Sequence, residues 1–159
     1  MNKLPNHTAL KEWSNVVTGL GRGEQILLVR KGGIADPSFG VEARFESAHY
    51  LREYRGISEP LHGHSYKVEA DLAARGGGVD DDAIAVDFVS AKRKLEALAK
   101  TLDYGCINDI PPFTTINPSA ENIAEWFAGE LQGAVADENA VVVAVTIWEG
   151  PVNSVTYRP

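Results

Sequence analysis

Hydrophobic and polar positions alternate in two stretches of the chain. In GVEARFESAHYL, residues 40–51, Val41, Ala43, Phe45, Ser47 and His49 share one face. The alternation in HGHSYKVEADLAA is cleaner. His62, His64, Tyr66, Val68, Ala70 and Leu72 lie on one side, and Ser65, Lys67, Glu69 and Asp71 on the other. Each pattern predicts a strand with one buried face and one wet face. ARGGGVDDD, residues 74–82, predicts an exposed turn, and AIAVDF predicts a short strand after it. The period then lengthens. Phe88, Ala91, Leu95, Leu98 and Leu102 in FVSAKRKLEALAKTL recur at helical spacing. Pro111-Pro112 interrupts the pattern, and NPSAENIAEWFAGEL predicts a second helix with the buried stripe Ile123, Phe127 and Leu131. Asn117 reads as its N-cap and Pro118 as its first residue. AVVVAVTIWEG reads as a long final strand, with NSVTY extending it beyond a kink at Pro151. Paired strands around two consecutive helices predict an α+β domain with an antiparallel sheet.

The first 38 residues follow another pattern. WSNVVTGLGRGEQILLVRKGG predicts two short strands joined by a glycine-rich turn, a hairpin appended to the main domain. The expected division is an N-terminal extension over 1–38 and a main domain over 39–159. The extension resembles a bacterial family of unassigned function, which says nothing about its chemistry.

Composition narrows the function classes. The 159 residues are 44% hydrophobic and 23% charged, as in an ordinary globular domain. No apolar run approaches the roughly 20 residues that span a membrane, and MNKLPNHTALKEW lacks the apolar core of a secretory signal. The expected location is therefore the cytoplasm. A formal charge of −7 argues against a nucleic-acid partner. A single cysteine, Cys106, excludes both an internal disulfide and a thiolate-rich zinc site. Any metal must be held mainly by nitrogen or oxygen.

That directs attention to PLHGHSY. On a strand, His62 and His64 project from the same face, about 6.5–7 Å apart. If the two alternating strands pair antiparallel, His49 comes opposite them. Three histidines on neighbouring strands with one position open is the pattern of catalytic zinc. H-x-H alone serves equally well as a half-buried, hydrogen-bonded pair. Gly63 favours close approach of another group. His7 lies in the tail and reads as inert.

FESAHYL, SEPLHGHSYKVEADL, VDFVSAK, LDYGCIND, NPSAENIAEWF and VTIWEGPVNSVTY, in that order over residues 40–157, resemble the 6-pyruvoyl-tetrahydropterin synthase family, which includes 6-carboxytetrahydropterin synthase. The resemblance implies zinc on His49, His62 and His64. It also implies the tunnelling fold, in which an antiparallel sheet carries two consecutive helices on one face and assembles into an oligomeric β-barrel. Trimers of this kind stack into hexamers, with the sites between subunits. Glu149 matches the glutamate that binds the pterin, and a carboxylate there can accept two parallel N–H bonds from the pterin edge. Ser119 and Ala120 match the segment whose backbone lines that edge, where helix-start amides are free to donate. Glu121 reads as support for the helix start.

The chain departs from the family at two catalytic positions. Ser58 stands where the family carries a cysteine base, and a hydroxyl cannot replace a thiolate unaided. Tyr104 stands where a histidine follows the aspartate, here Asp103; with an intrinsic pKa near 10 it is a poor base. Cys106 reads as a buried thiol. Glu59, beside Ser58, resembles the pattern of a branch that lacks the cysteine and cleaves 7,8-dihydroneopterin triphosphate to 6-hydroxymethyl-7,8-dihydropterin. The resemblance thus implies a zinc-dependent pterin lyase with Glu59, Asp103 and Tyr104 in catalysis. The alternatives are 6-pyruvoyl- or 6-carboxytetrahydropterin formation, a non-catalytic pterin-binding protein, or a purine-like substrate read by Glu149. Lys67, Arg44 and Arg52 are candidates for a triphosphate by charge alone.

Overall fold

In the computed structural model, the described residues are 38–159 except 77, 80–83 and 137. The expected N-terminal hairpin lies outside them. In chain order the elements are β1 (Ser38–His49), β2 (His62–Ala74), α1 (Phe88–Leu102), β3 (Gly105–Cys106), a 3-10 turn (Ile107–Asp109), α2 (Ala120–Ala134), β4 (Ala140–Glu149) and β5 (Asn153–Tyr157). They form one five-stranded sheet in the order β3-β1-β2-β4-β5.

The alternating strands pair as their patterns require. β1 and β2 run antiparallel from Ser38↔Ala73 to His49↔His62. β4 pairs antiparallel with the other side of β2, with a bulge between Asp71 and Leu72. The sheet is antiparallel except at β3, two residues that run parallel to β1.

One face of the sheet holds the core. Val41, Ala43, Phe45, Tyr66, Val68, Ala70, Leu72, Val145 and Ile147 are buried there, with Ala91, Leu95, Ala99 and Leu102 of α1 and Ile123, Phe127 and Leu131 of α2 in the same cluster. Each large apolar side chain so buried contributes about 1.5–3 kcal/mol. Phe45 and Tyr66 stack with ring centroids 4.8 Å apart, near one end of this face. The next residues along the same rows are Ser47 and His49 on β1 and His64 and His62 on β2. The apolar core therefore gives way to imidazoles at the end of the two central strands.

Four local expectations are corrected. Ile84–Asp87 do not form a strand; Asp87 instead accepts from the amides of Val89 and Ser90 and caps α1. The cap of α2 is Ser119, whose hydroxyl accepts from the Asn122 amide. Asn117 does not cap, because its side chain is spent on the backbone of Arg52. NSVTY does not prolong β4. Gly150, at φ 69°, permits a reversal that lays β5 antiparallel on β4. In α1, Ala99 lies in the core cluster while Phe88 is 43% exposed and Leu98 packs at the margin.

Candidate metal centre and active site

The antiparallel register brings the His49 imidazole to those of His62 and His64, 13 and 15 residues later in sequence. His49 and His62 are direct cross-strand partners, and His64 lies two residues along the same strand. Their ring centroids are separated by 4.7, 5.3 and 5.0 Å. One ring nitrogen from each lies within 4.8 Å of the other two. Three ring nitrogens so grouped form a donor set that could hold one metal ion.

Hydrogen bonds fix which nitrogens are available. His49 Nδ1 is 2.8 Å from the carbonyl oxygen of Pro118, so it carries a proton and donates. His62 Nδ1 likewise donates to the carbonyl of Pro60 at 2.8 Å. With Nδ1 as the donor, Nε2 is the nitrogen left to each ring for a metal. His49 is 4% exposed, and its Nε2 is buried without a hydrogen-bond partner. An orphaned buried acceptor is costly, and a divalent ion bound by the three rings would satisfy it. The donor set, three neutral imidazoles, suits zinc. Burial holds the His49 imidazole below its ordinary range, against the pull of the Pro118 carbonyl and of Glu149. The ring therefore stays neutral and competent to bind.

Glu149, on the sheet's core face beside Tyr66, reaches the same cluster. Its Oε1 lies 3.8 Å from His49 Nε2 and accepts from the Tyr66 hydroxyl at 3.4 Å. Burial, and then the Glu149 charge, push the Tyr66 hydroxyl far above the phenol range, so it remains a donor. Ser119 stands at the start of α2 with Ala120, one residue beyond the carbonyl that holds His49. The helix start, the carboxylate and the histidines thus converge.

Glu59 sits in the loop between β1 and β2, half-buried, three residues before His62. Its backbone amide donates to the carbonyl of Leu51 at 3.0 Å, and its Oε2 lies 3.4 Å from the Leu51 amide. These bonds tie Glu59 to Leu51, which is two residues past His49 in the chain. Ser58 is turned away from such a role: its hydroxyl accepts from the Glu53 amide within the exposed tip of the loop.

Asp103 and Tyr104 stand elsewhere. Asp103 accepts from the Glu46 amide at 2.8 Å, and the Tyr104 amide donates to the Glu46 carbonyl at 2.7 Å. Tyr104 adopts φ 53°, uncommon for a non-glycine residue, and is 86% exposed. It shares with His64 and Glu46 the wall of an open depression beside β3. Cys106 is half-buried rather than buried, with Sγ 3.9 Å from Asn108 Oδ1. Of the candidate phosphate cations, Arg52 is committed to the carbonyls of Ile116, Asn108 and Phe113. Lys67 and Arg44 pair with Glu69 and Glu42, on strand positions that alternate with the histidine rows.

Residues 39–159 match the model of the 6-pyruvoyl tetrahydropterin synthase family. The chain belongs to this family. A second model, for a domain of unknown function, matches residues 9–47. Among relatives, the 6-carboxy-5,6,7,8-tetrahydropterin synthase of Synechocystis is 33% identical over 98 residues, 58% of this chain and 73% of that protein. The dihydroneopterin monophosphate aldolase of Pyrococcus furiosus is 27% identical over 108 residues, 68% of this chain and 85% of that one. The 6-pyruvoyl tetrahydropterin synthase structure from Caenorhabditis elegans superposes with a TM-score of 0.67 at 24% identity, over 78% of this chain and 96% of that chain. That from Plasmodium vivax gives 0.64 at 22%, over 78% and 98%. Both bear out the tunnelling fold. No helix among the described residues is long and apolar enough to cross a membrane.

Three parts of the site escaped the sequence reading. The carbonyl of Pro118 and the asparagines 108 and 117, which pair with the backbone of Tyr50 and Arg52, carry no local signature. Tyr66 was legible only as a member of the buried row.

Proposed function

We propose that this member of the 6-pyruvoyl tetrahydropterin synthase family is a zinc-dependent lyase of the aldolase type. Its substrate is a phosphorylated 7,8-dihydroneopterin, with the triphosphate favoured, and its product 6-hydroxymethyl-7,8-dihydropterin. The observation that carries this reading is the placement of Glu59. Its Oε2 lies 3.4 Å from the amide of Leu51, two residues past His49, while Ser58 is bound into the loop tip. Two comparisons support it. One relative bears the name dihydroneopterin monophosphate aldolase. The Plasmodium vivax neighbours include variants in which a glutamate described as a catalytic residue is replaced.

In this reading His49, His62 and His64 hold zinc, which supplies Lewis acidity toward the substrate's side-chain hydroxyls. Glu149 accepts two N–H bonds from the pterin edge, and Ser119 and Ala120 line that edge. Glu59 takes the proton of the 2′-hydroxyl. The C1′–C2′ bond breaks, its electron pair passes to C1′ and into the dihydropterin C=N, and C2′ becomes an aldehyde. Return of the proton to C1′ completes 6-hydroxymethyl-7,8-dihydropterin, and phosphorylated glycolaldehyde leaves. The reading includes a homo-oligomer, a trimer or hexamer, in which Asp103 and Tyr104 serve a site between subunits. The exposure of Tyr104 at the sheet edge supports that part. Residues 39–159 are the catalytic domain and 1–38 an extension.

The test is product identification. Zinc-loaded protein is incubated with 7,8-dihydroneopterin triphosphate and, separately, the monophosphate, and the pterin is identified by mass spectrometry. 6-Hydroxymethyl-7,8-dihydropterin from either supports the reading. A 6-pyruvoyl or 6-carboxy product overturns it in favour of the second reading, formation of a tetrahydropterin, which the Synechocystis relative favours. Bound pterin without turnover points to a binding role.

A further inference from the structure

The segment 50–52, which follows His49, is held on both sides as though it were a strand. On one side Leu51 exchanges bonds with Glu59. On the other, two asparagine side chains imitate a neighbouring strand. Asn108 accepts from the Tyr50 amide and donates to the Tyr50 carbonyl, at 3.0 and 2.9 Å. Asn117 does the same for Arg52, at 2.8 and 3.0 Å. A carboxamide is the one uncharged side-chain group that offers both a donor and an acceptor in this spacing.

Asn117 has two further connections. Its own carbonyl accepts from Asn122 Nδ2 at 2.8 Å, which ties it to the first turn of α2. The next residue, Pro118, presents the carbonyl that receives the His49 Nδ1 proton. Asn117 therefore joins the support of a metal ligand to the strand segment that carries Glu59.

We infer that Asn117 is a positioning residue that fixes the His49 imidazole for the metal and the Glu59 carboxylate for the substrate through one shared amide clamp. The inference rests on the zinc and Glu59 assignments above. Outer partners of a ligating histidine set its tautomer and ring direction, and their loss typically weakens metal binding 10–100-fold. Asn117 acts one residue further out, so the lower end of that range applies.

The test measures zinc affinity by competition with a chromogenic chelator, and the visible spectrum of the cobalt-substituted protein, for wild type, Asn117→Ala and Gln132→Ala. Gln132 is the control. Its Oε1 makes a comparable bond, accepting from the Val142 amide at 2.9 Å, and this joins the last turn of α2 to β4 opposite Leu72, at the end of β2 away from the histidines. Asn117→Ala is expected to weaken zinc binding about tenfold and alter the cobalt spectrum, with a larger fall in kcat than any rise in KM. Gln132→Ala is expected to keep wild-type affinity and spectrum. Where Asn117→Ala fails to fold, Asn122→Ala, which frees only the Asn117 carbonyl, is expected to weaken zinc binding in the same direction. Wild-type affinity and spectrum in the Asn117 variant, or equal weakening in the Gln132 control, overturns the inference while leaving the metal centre standing. A wild-type protein that binds no zinc removes the metal centre and the inference with it.

Discussion

His49 donates its Nδ1 proton to the carbonyl of Pro118, 2.8 Å away and 69 residues later in the chain. The bond joins the end of β1 to the threshold of α2 and leaves the buried Nε2 facing His62, His64 and Glu149. A histidine so held is preorganised for a metal. Replacing His49 by alanine is expected to reduce bound zinc from about one ion per chain to a small fraction of that. In the wild type, free zinc at ~100 times Kd is expected to add about 2.7 kcal/mol of stability, because it binds only the folded chain. Metal analysis and thermal unfolding with and without a chelator check both. A melting temperature indifferent to zinc contradicts the assignment.

Glu59→Gln separates the proposed role of base from the carboxylate's part in holding the loop. The amide retains an oxygen for the Leu51 N–H and removes the proton acceptor. Turnover is expected to fall by roughly 10²–10⁴-fold, with zinc content and pterin affinity unchanged. Single-turnover assays and pterin fluorescence titration provide the two readouts. Full activity in this variant rules Glu59 out as the base.

Glu149→Gln tests recognition of the pterin. One of its two acceptor oxygens becomes an NH₂, which in the proposed binding mode would face the donor edge of the ring. Loss of a charge-assisted hydrogen bond costs about 1.5–3 kcal/mol, or roughly a ten- to hundredfold rise in Kd. Isothermal titration with a product pterin checks the effect. If affinity is unchanged, the ring is read by other groups.

The sheet's central pair was legible because period-two alternation and burial coincide from Val41 to His49 and from His64 to Leu72. The histidine cluster was legible for the same reason: faces follow from alternation, and only the antiparallel register had to be supplied. Other features depend on contacts remote in sequence. Asn117 looks like a helix cap, but the backbone of Arg52, 65 residues earlier, takes its side chain. Arg52 looks like a phosphate cation, yet three carbonyls from one later loop occupy its guanidinium. NSVTY has strand character whichever way the chain turns, and Gly150 decides the direction. Two residues suffice for β3, too few to produce any pattern.

Away from the site, Glu138 governs a pH dependence. Burial disfavours its charged form, but hydrogen bonds from Lys94 and from Ser90, the latter at 2.6 Å, outweigh it and hold the carboxyl below its ordinary range. These bonds tie the segment before β4 to the first two turns of α1. A depressed carboxyl pKa stabilises the fold at pH values above the unfolded value of about 4.3. That contribution disappears as pH falls through the lower, folded value. Glu138→Gln is therefore expected to be less stable than wild type at pH 7, by ~1 kcal/mol once solvent screening is allowed for. The gap should close as the pH is lowered from 5 toward 3. Urea unfolding of both proteins across that range measures it. A difference that stays constant with pH would mean that lost packing, rather than the charge, accounts for the effect.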